Sequence, residues 1–273
     1  NYYSINLKKK RLKILKKYKN FHFKKIDICD YLNFKNFIGN NKFDIAINLA
    51  AQAGVRYSLI NPKKYINANL IGYLNIINQL SKNKVKSLFY ASSSSVYGDN
   101  NNFPLKETEK LNPKNIYGVS KKLNEIIADY YSKKIKTKFI GMRFFTIYGE
   151  WGRPDMFFLK LFKSALLRDV FYLNNYGNHD RDFTYIGDIY NLINILITKS
   201  KKKHTIYNFS SNNPINISNL VNKVKENHLF KVKLAPLHIA DIIKTHGSNR
   251  KILKKTKYKY FMDINEGFDI TFD

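Results

Sequence analysis

Tyr117 and Lys121 stand four positions apart in the stretch Asn115-Ile116-Tyr117-Gly118-Val119-Ser120-Lys121, and upstream of them the run Ser92-Ser93-Ser94-Ser95-Val96-Tyr97-Gly98 gathers hydroxyls. On a helix, positions i and i+4 share a face, so the Lys121 ammonium can lie beside the Tyr117 phenol and stabilise its ionised form. A phenol with an ordinary pKa near ~10 then becomes a usable base at neutral pH. A serine hydroxyl from the earlier run can hold the oxygen of the reacting molecule. The spacing by itself is equally that of a solvated pair on a helix surface, so the flanking elements carry the argument.

Leu88-Phe89-Tyr90-Ala91-Ser92 reads as a short buried strand ending in small hydroxyl residues, and Gly118 to Lys136 as a helix with apolar positions at Leu123, Ile126, Ile127 and Tyr130. In open α/β sheets, ligands gather at the carboxyl ends of strands, where the serine run falls. Upstream, the pattern predicts a helix from Asn6 to Lys19, an alternating strand from Phe21 to Ile28, a buried strand in Phe43 to Ala51, and a helix from about Lys63 to Leu80. Downstream, a strand at Lys138 to Arg143 follows the Tyr117 helix. Strands and helices therefore alternate as in a doubly wound, Rossmann-like parallel sheet.

After Gly149 the character changes. Trp151 to Asp155 reads as a loop, Phe157 to Leu167 as a helix, and Asp169 to Tyr185 as a mixed stretch with turn signals. Gly187 to Thr198 reads as a helix, Ile206 to Phe209 as a strand, and Ile217 to Lys225 as a helix capped by Asn216 or Ser218. From Phe230 onward the pattern is faint, and a loosely held tail is expected. The division this implies is a dinucleotide-binding part over residues 1–148, with 184–209 packing back onto it, and a smaller α/β substrate part over 149–273.

Composition narrows the class. With 273 residues, 44% of them hydrophobic, the chain can bury one large core or two modest ones. Its single cysteine, Cys29, excludes an internal disulfide and suits a reducing, cytoplasmic setting, and there is no Cys/His cluster for a metal. No run of about 20 apolar residues exists to span a membrane. The net charge of +28 invites a nucleic-acid reading, but the lysines spread along the whole chain beside heavy use of Asn and Ile, so no nucleic-acid partner is expected.

The sequence resembles the extended short-chain dehydrogenases/reductases, and among them the NAD-dependent nucleotide-sugar 4-epimerases, most of all UDP-glucuronate 4-epimerases. The resemblance rests on Asn1-Tyr2-Tyr3, Asn48 to Ser58, the serine run, Tyr117 with Lys121, Arg143 to Gly149, Trp151 to Met156, and Arg181 to Ile186. It implies a cofactor, NAD, whose adenine meets the Asp27 carboxylate and the Ile28 amide. Leu49, Ala50, Ala51 and Phe144 would line it; Gln52 and Asn69 would bond near the nicotinamide ribose, with Tyr117 and Lys121 beside them. Asp27 is otherwise readable as a strand-end turn residue.

The reaction implied is oxidation and re-reduction at one sugar carbon. Tyr117 takes the proton of the C4 hydroxyl, Lys121 and Ser93, Ser94 and Ser95 support it, and a 4-keto sugar turns over within the site before its other face is reduced. Similar sugar dehydratases carry an Asp-Glu pair where this chain has Ser94 and Ser95, and decarboxylating relatives carry Glu at Ser95. Hydroxyls cannot replace those proton transfers. By the same resemblance, Arg56, Thr146, Arg153 and Arg181 bind the UDP-sugar, Arg153 taking a C6 carboxylate in its fork and Arg181 the diphosphate. Arg153 reads alternatively as an ion-pair partner of Asp155. The family pairs as homodimers, here through the helices near Lys63 to Leu80 and Gly118 to Lys136.

The chain departs from the pattern in two places. A Gly-x-x-Gly-x-x-Gly turn for the pyrophosphate is absent, as if about 35 residues of the family's amino end were missing, so poor NAD binding by the chain as written is expected. Ala235 to Asp241 is short for the nucleotide-covering segment. A UDP-galactose or N-acetylhexosamine 4-epimerase, and a non-catalytic UDP-sugar- or partner-binding relative, are the alternatives.

Overall fold

The computed structural model describes residues 2–39 and 41–272. Its strands are β1 (Ile45–Asn48), β2 (Ser87–Ser93), β3 (Lys138–Phe144), β4 (Thr146–Tyr148), β5 (Val170–Asn174), β6 (Asp180–Tyr185), β7 (His204–Phe209), β8 (Pro214–Asn216) and β9 (Lys231–Ala235). Four of them form an all-parallel sheet in the order β1-β2-β3-β7. Both faces of its inner strands β2 and β3 are covered, which is why they read as continuous apolar runs, while Ile47 of the edge strand β1 is 45% exposed. Leu88 and Tyr90 of β2 and Phe139 of β3 face Tyr73, Ile77, Leu80 and Ala128 on one side. Phe89, Ile140 and Met142 point to Ile189, Leu192, Leu196 and Ile252 on the other. The two-residue period of a strand splits the side chains in this way.

The second lobe is built from β5 paired with β9, a three-stranded β4-β6-β8 sheet, and the helices Phe157–Leu167, Ile217–Asn227 and Ile264–Phe272. Its core is aromatic: Tyr148, Phe158, Phe162, Phe171, Phe183 and Phe268 pack with Leu161, Leu220 and Val224. Asn216 caps the helix Ile217–Asn227 by accepting from the Ser218 amide at 2.9 Å. No helix among the described residues is long and apolar enough to cross a membrane.

Three expectations are corrected. Residues 21–27 alternate like a strand but enter no ladder, because no described strand pairs beside them and a strand exists only as part of a sheet. The region after Phe230 is ordered, with β9 and the helices Arg250–Thr256 and Ile264–Phe272; Ile252 is fully buried against the parallel sheet and Phe268 lies in the aromatic core. These segments are only five to nine residues long, and β9 and Arg250–Thr256 are lysine-rich, so their packing is set by tertiary contacts that periodicity does not show. Last, the Tyr117 helix runs Ile116–Ser132 and turns Ile126 and Tyr130 to solvent, at 55% and 58% exposure. Its buried face is Gly118, Ser120, Lys121, Asn124, Glu125 and Ala128, most of it polar.

Candidate active site

That polar buried face is the scaffold of the site. Asn115 starts the helix, its side-chain oxygen accepting from the Gly118 amide at 2.9 Å. Six residues after Asn115, Lys121 is 3% exposed and donates to the Ala91 carbonyl of β2 at 2.8 Å. Asn124 donates to the Asn69 carbonyl at 2.7 Å. One more turn down, Glu125 accepts from Ser92 Oγ at 2.5 Å and grips Arg143 of β3. The helix, the end of β2 and β3 are thus fixed to one another by buried hydrogen bonds, each worth more in this low-dielectric setting than at the surface.

The serine run sits where β2 ends. Ser94 to Val96 forms a single 3₁₀ turn, and Ser93 Oγ accepts from the Ser95 amide at 3.2 Å while meeting Ser95 Oγ at the same distance. Gly118 lets this turn press on the helix: a Cβ there would lie 2.6 Å from the Ser95 carbonyl oxygen. Burial pushes the Tyr117 phenol up, while a hydrogen bond from Ser93 and the charge of Arg153 draw it back down. Burial lowers Lys121 to about 8. Its ammonium lies 5.9 Å from the centre of the Tyr117 ring. The groups that favour the Tyr117 phenolate are therefore Ser93 and Arg153, and Lys121 is turned instead to the end of β2.

Arg153 and Thr146 line a common small cavity of ≈ 30 Å³ with Gly149, Gly152 and Met156. The Arg153 fork holds Asp155, with Nε and Nη2 at 3.0 and 2.9 Å from the two carboxylate oxygens. Arg56 likewise pairs with Asp241, at 3.2 and 2.7 Å. Arg181 donates to the carbonyls of Asp180, Ile242 and Ile243. Burial lowers it to about 10. A buried guanidinium held by carbonyls rather than a carboxylate retains its charge for an anion.

The remaining predicted residues are divided among the end of β1, the turn before the helix Tyr31–Gly39 and the end of β3. Leu49 is 60% exposed and Ala50 is exposed beside it, so small or apolar groups border a surface there. Asn69, on a π-helical turn spanning Ile66–Ile71, is buried and committed: it accepts from the Gln52 amide and donates to the Gln52 carbonyl and Ser120 Oγ. It positions Gln52. Asp27 caps its own turn by accepting from the Cys29 amide at 2.8 Å, next to Ile28, and borders an open cleft of ≈ 540 Å³ with Lys24, Lys25 and Asn33. Phe144 packs edge-on against Phe209. Of the amino-terminal motif, Asn1 lies outside the described residues; Tyr2 reaches Asp155 and Tyr3 accepts from Arg11.

Sequence reading passed over Glu125, Arg143, Tyr97 and Asn208, which form one buried network: Arg143 also donates to Tyr97 Oη at 2.9 Å, and Tyr97 donates to Asn208 at 2.6 Å. A signal was present. Glu125 continues the four-residue spacing of Tyr117 and Lys121, and a charge inside an apolar strand, as Arg143 is, must find a partner.

Comparison with known proteins places this arrangement. The chain is 38% identical over 270 residues to an uncharacterized protein of Methanocaldococcus jannaschii, covering 98% of this chain and 82% of that one. It is 32% identical over 287 residues to UDP-glucuronate 4-epimerase 4 of Arabidopsis thaliana, covering 98% of this chain and 65% of the plant protein. Its fold superposes on UDP-glucuronic acid 4-epimerase from Bacillus cereus, solved with UDP-glucuronic acid and NAD, with a TM-score of 0.89 and 23% identity, over 98% of this chain and 85% of the other. Residues 3–210 match the model of one family, and so the chain belongs to the NAD dependent epimerase/dehydratase family.

Proposed function

We propose that the protein epimerises a UDP-sugar at C4, with UDP-glucuronate and UDP-galacturonate as the interconverted pair. One observation carries the reading: the helix start that bears Tyr117 is pressed, at Gly118, against the Ser95 carbonyl of the serine turn, so the phenol, drawn down by Ser93 and by the charge of Arg153, belongs to a strand end that offers hydroxyls and no carboxylate at positions 93 to 95. Tyr117 takes and returns the C4 hydroxyl proton. Ser93 to Ser95 orient that oxygen, and without an acid-base pair at those positions elimination and decarboxylation lack their proton carriers. Arg153 receives the C6 carboxylate, bidentately. A 4-keto uronate is a β-keto acid, and holding its carboxylate in the fork restrains loss of CO₂. Arg181 meets the diphosphate.

The residues at the end of β1 fit the nicotinamide riboside of NAD: Ala50 and Ala51 are small enough for close approach, the Gln52 backbone is fixed by Asn69, and Lys121 supplies a buried cation that no described carboxylate neutralises. Asp27 and Ile28 border the cleft that would take the adenine. NAD, when bound, supplies a reversible acceptor for the hydrogen at C4. Pairing of two subunits through the Tyr117 helix is supported by Ile126 and Tyr130, apolar, exposed and four residues apart.

A second reading has its own observation. Because Asp155 fills the Arg153 fork, a sugar with a neutral C6 hydroxymethyl group, as in UDP-galactose or an N-acetylhexosamine, meets an already neutralised pair. Arg153→Ala separates the two. With NAD added and products resolved by anion-exchange chromatography, the variant should lose at least about a hundredfold in kcat/KM for UDP-glucuronate. Undiminished turnover would remove the uronate assignment.

A further inference from the structure

Asp155 takes both bonding positions of the arginine that faces the site, and its own anchorage is unusual. The Tyr2 hydroxyl donates to Asp155 Oδ2 at 3.1 Å, the same oxygen that Arg153 Nη2 holds at 2.9 Å. The Arg153 guanidinium also lies over the Tyr2 ring, 5.6 Å from its centre. Tyr2 is in turn fixed against the strand-end loop: its ring packs with Tyr57 at 5.8 Å, and Gly54 admits it, since a Cβ there would lie 2.3 Å from the Tyr2 hydroxyl oxygen. The helix Ile5–Leu15 ties this corner down, Arg11 donating to the carbonyls of Trp151 and Gly152 in the loop that carries Arg153. Burial and the Asp155 charge both raise the Tyr2 phenol, so it stays protonated and remains a donor.

Resting on the uronate reading above, we propose that Asp155 is an internal competitor for the substrate carboxylate and a specificity-determining residue: it occupies the Arg153 fork in the empty site, yields it to the C6 carboxylate of a uronate, and is received by Tyr2. The exchange is one carboxylate for another on the same two N–H groups, so the guanidinium is never left bare. The Asp155 carboxylate, displaced from Arg153, keeps the Tyr2 hydroxyl as a donor and is only partly buried, so water satisfies the rest. A neutral C6 hydroxymethyl group cannot drive the exchange and leaves the Asp155–Arg153 pair closed.

The magnitudes follow from the exposure of the pair. Both side chains are 30% exposed, which puts the attraction in the range of a partly solvated ion pair. Removing the competitor should then tighten uronate binding about two- to five-fold. Removing the receiving hydroxyl should act in the opposite direction.

The test is equilibrium binding of UDP-glucuronate and UDP-glucose by titration calorimetry, with NAD present, to the wild-type chain, Asp155→Asn and Tyr2→Phe. Asp155→Asn should lower the Kd for UDP-glucuronate about two- to five-fold and leave that for UDP-glucose in place; Tyr2→Phe should raise the Kd for UDP-glucuronate alone. If the wild-type chain binds both sugars equally, the uronate reading itself fails. If it prefers UDP-glucuronate and Asp155→Asn binds it equally or more weakly, Asp155 orients Arg153 and does not compete, and the inference is overturned. Circular dichroism confirms that each variant is folded before it is titrated.

Discussion

Glu125 holds Arg143 with both carboxylate oxygens, 2.8 Å from Nε and 2.7 Å from Nη2, and the two side chains are 5% and 3% exposed. The pair joins the Tyr117 helix to the strand beside the serine run. Glu125 also takes the Ser92 hydroxyl, and Arg143 the Tyr97 hydroxyl, so the ends of four segments depend on one buried charge pair. Removing one partner leaves the other charged in an apolar interior, which costs far more than the pair's net contribution when both are present. Glu125→Ala should lower unfolding stability by about 3–5 kcal/mol, read from urea denaturation. A loss below about 1 kcal/mol would mean that water reaches Arg143 and the network is not closed.

Much of this was legible beforehand, and the gaps have physical causes. The parallel sheet showed itself because β2 and β3 are buried on both faces, so Leu88 to Tyr90 and Phe139 to Met142 are apolar without interruption. That Tyr117 and Lys121 share one helix was legible because an i,i+4 spacing on a helix is a geometric statement readable from sequence. What that spacing could not give is the direction of a long side chain. The Lys121 ammonium reaches the Ala91 carbonyl, a backbone atom 30 positions away that no side-chain pattern marks. The Tyr117 helix misled for a related reason. Its apolar residues Ile126 and Tyr130 face out while Asn124 and Glu125 face in, an inversion possible only where buried polar groups are all matched. The arginines proposed for the substrate were picked out by motif, but the aspartates opposite Arg56 and Arg153 belong to loops whose paths only the fold reveals.

The phenol itself is the simplest target. Tyr117→Phe deletes one oxygen and leaves the ring, which packs edge-on with Tyr65 at 6.3 Å, so the fold should be retained. A general base contributes on the order of 10²–10⁴ to a rate. The variant should therefore lose at least about a hundredfold in kcat with KM little changed, the pattern of an interaction made in the transition state. A parallel rise in KM with unchanged kcat would reassign Tyr117 to substrate binding.

Lys121 imposes a pH dependence on stability whose sign is fixed. Burial lowers the folded-state value to about 8, below the ordinary lysine value near ~10.4. Between those values the unfolded chain binds more protons than the native one, so unfolding free energy rises with pH across that window; below about 8 the full burden of a buried ammonium is present. Lys121→Met, similar in length and uncharged, removes the burden. Thermal melts should show the variant gaining on wild type at pH 7 and losing that advantage as the pH approaches 10. A difference in Tm that is flat from pH 7 to 10 would place the ammonium in contact with water.

Gly118 tests whether the serine turn is positioned by contact with the helix. Its backbone φ is not in the left-handed region, and an alanine there is well suited to a helix interior, where it is favoured over glycine by about 1 kcal/mol. Propensity alone thus predicts that Gly118→Ala is stabilising. Packing predicts the reverse: the added Cβ would stand 2.6 Å from the Ser95 carbonyl oxygen and 2.9 Å from the Pro113 side chain, and the first of these is backbone that cannot rotate away. The turn must therefore shift off the helix, moving Ser93 and Ser95 from Tyr117, while the rest of the core is untouched. The expected result is a variant of near wild-type Tm whose kcat falls by about ten- to a hundredfold, since misplacing a reacting group by about 1 Å costs on that order. A Tm increase of several degrees with full activity would show that the turn yields without cost and that the approach of Ser95 to the helix is incidental to catalysis.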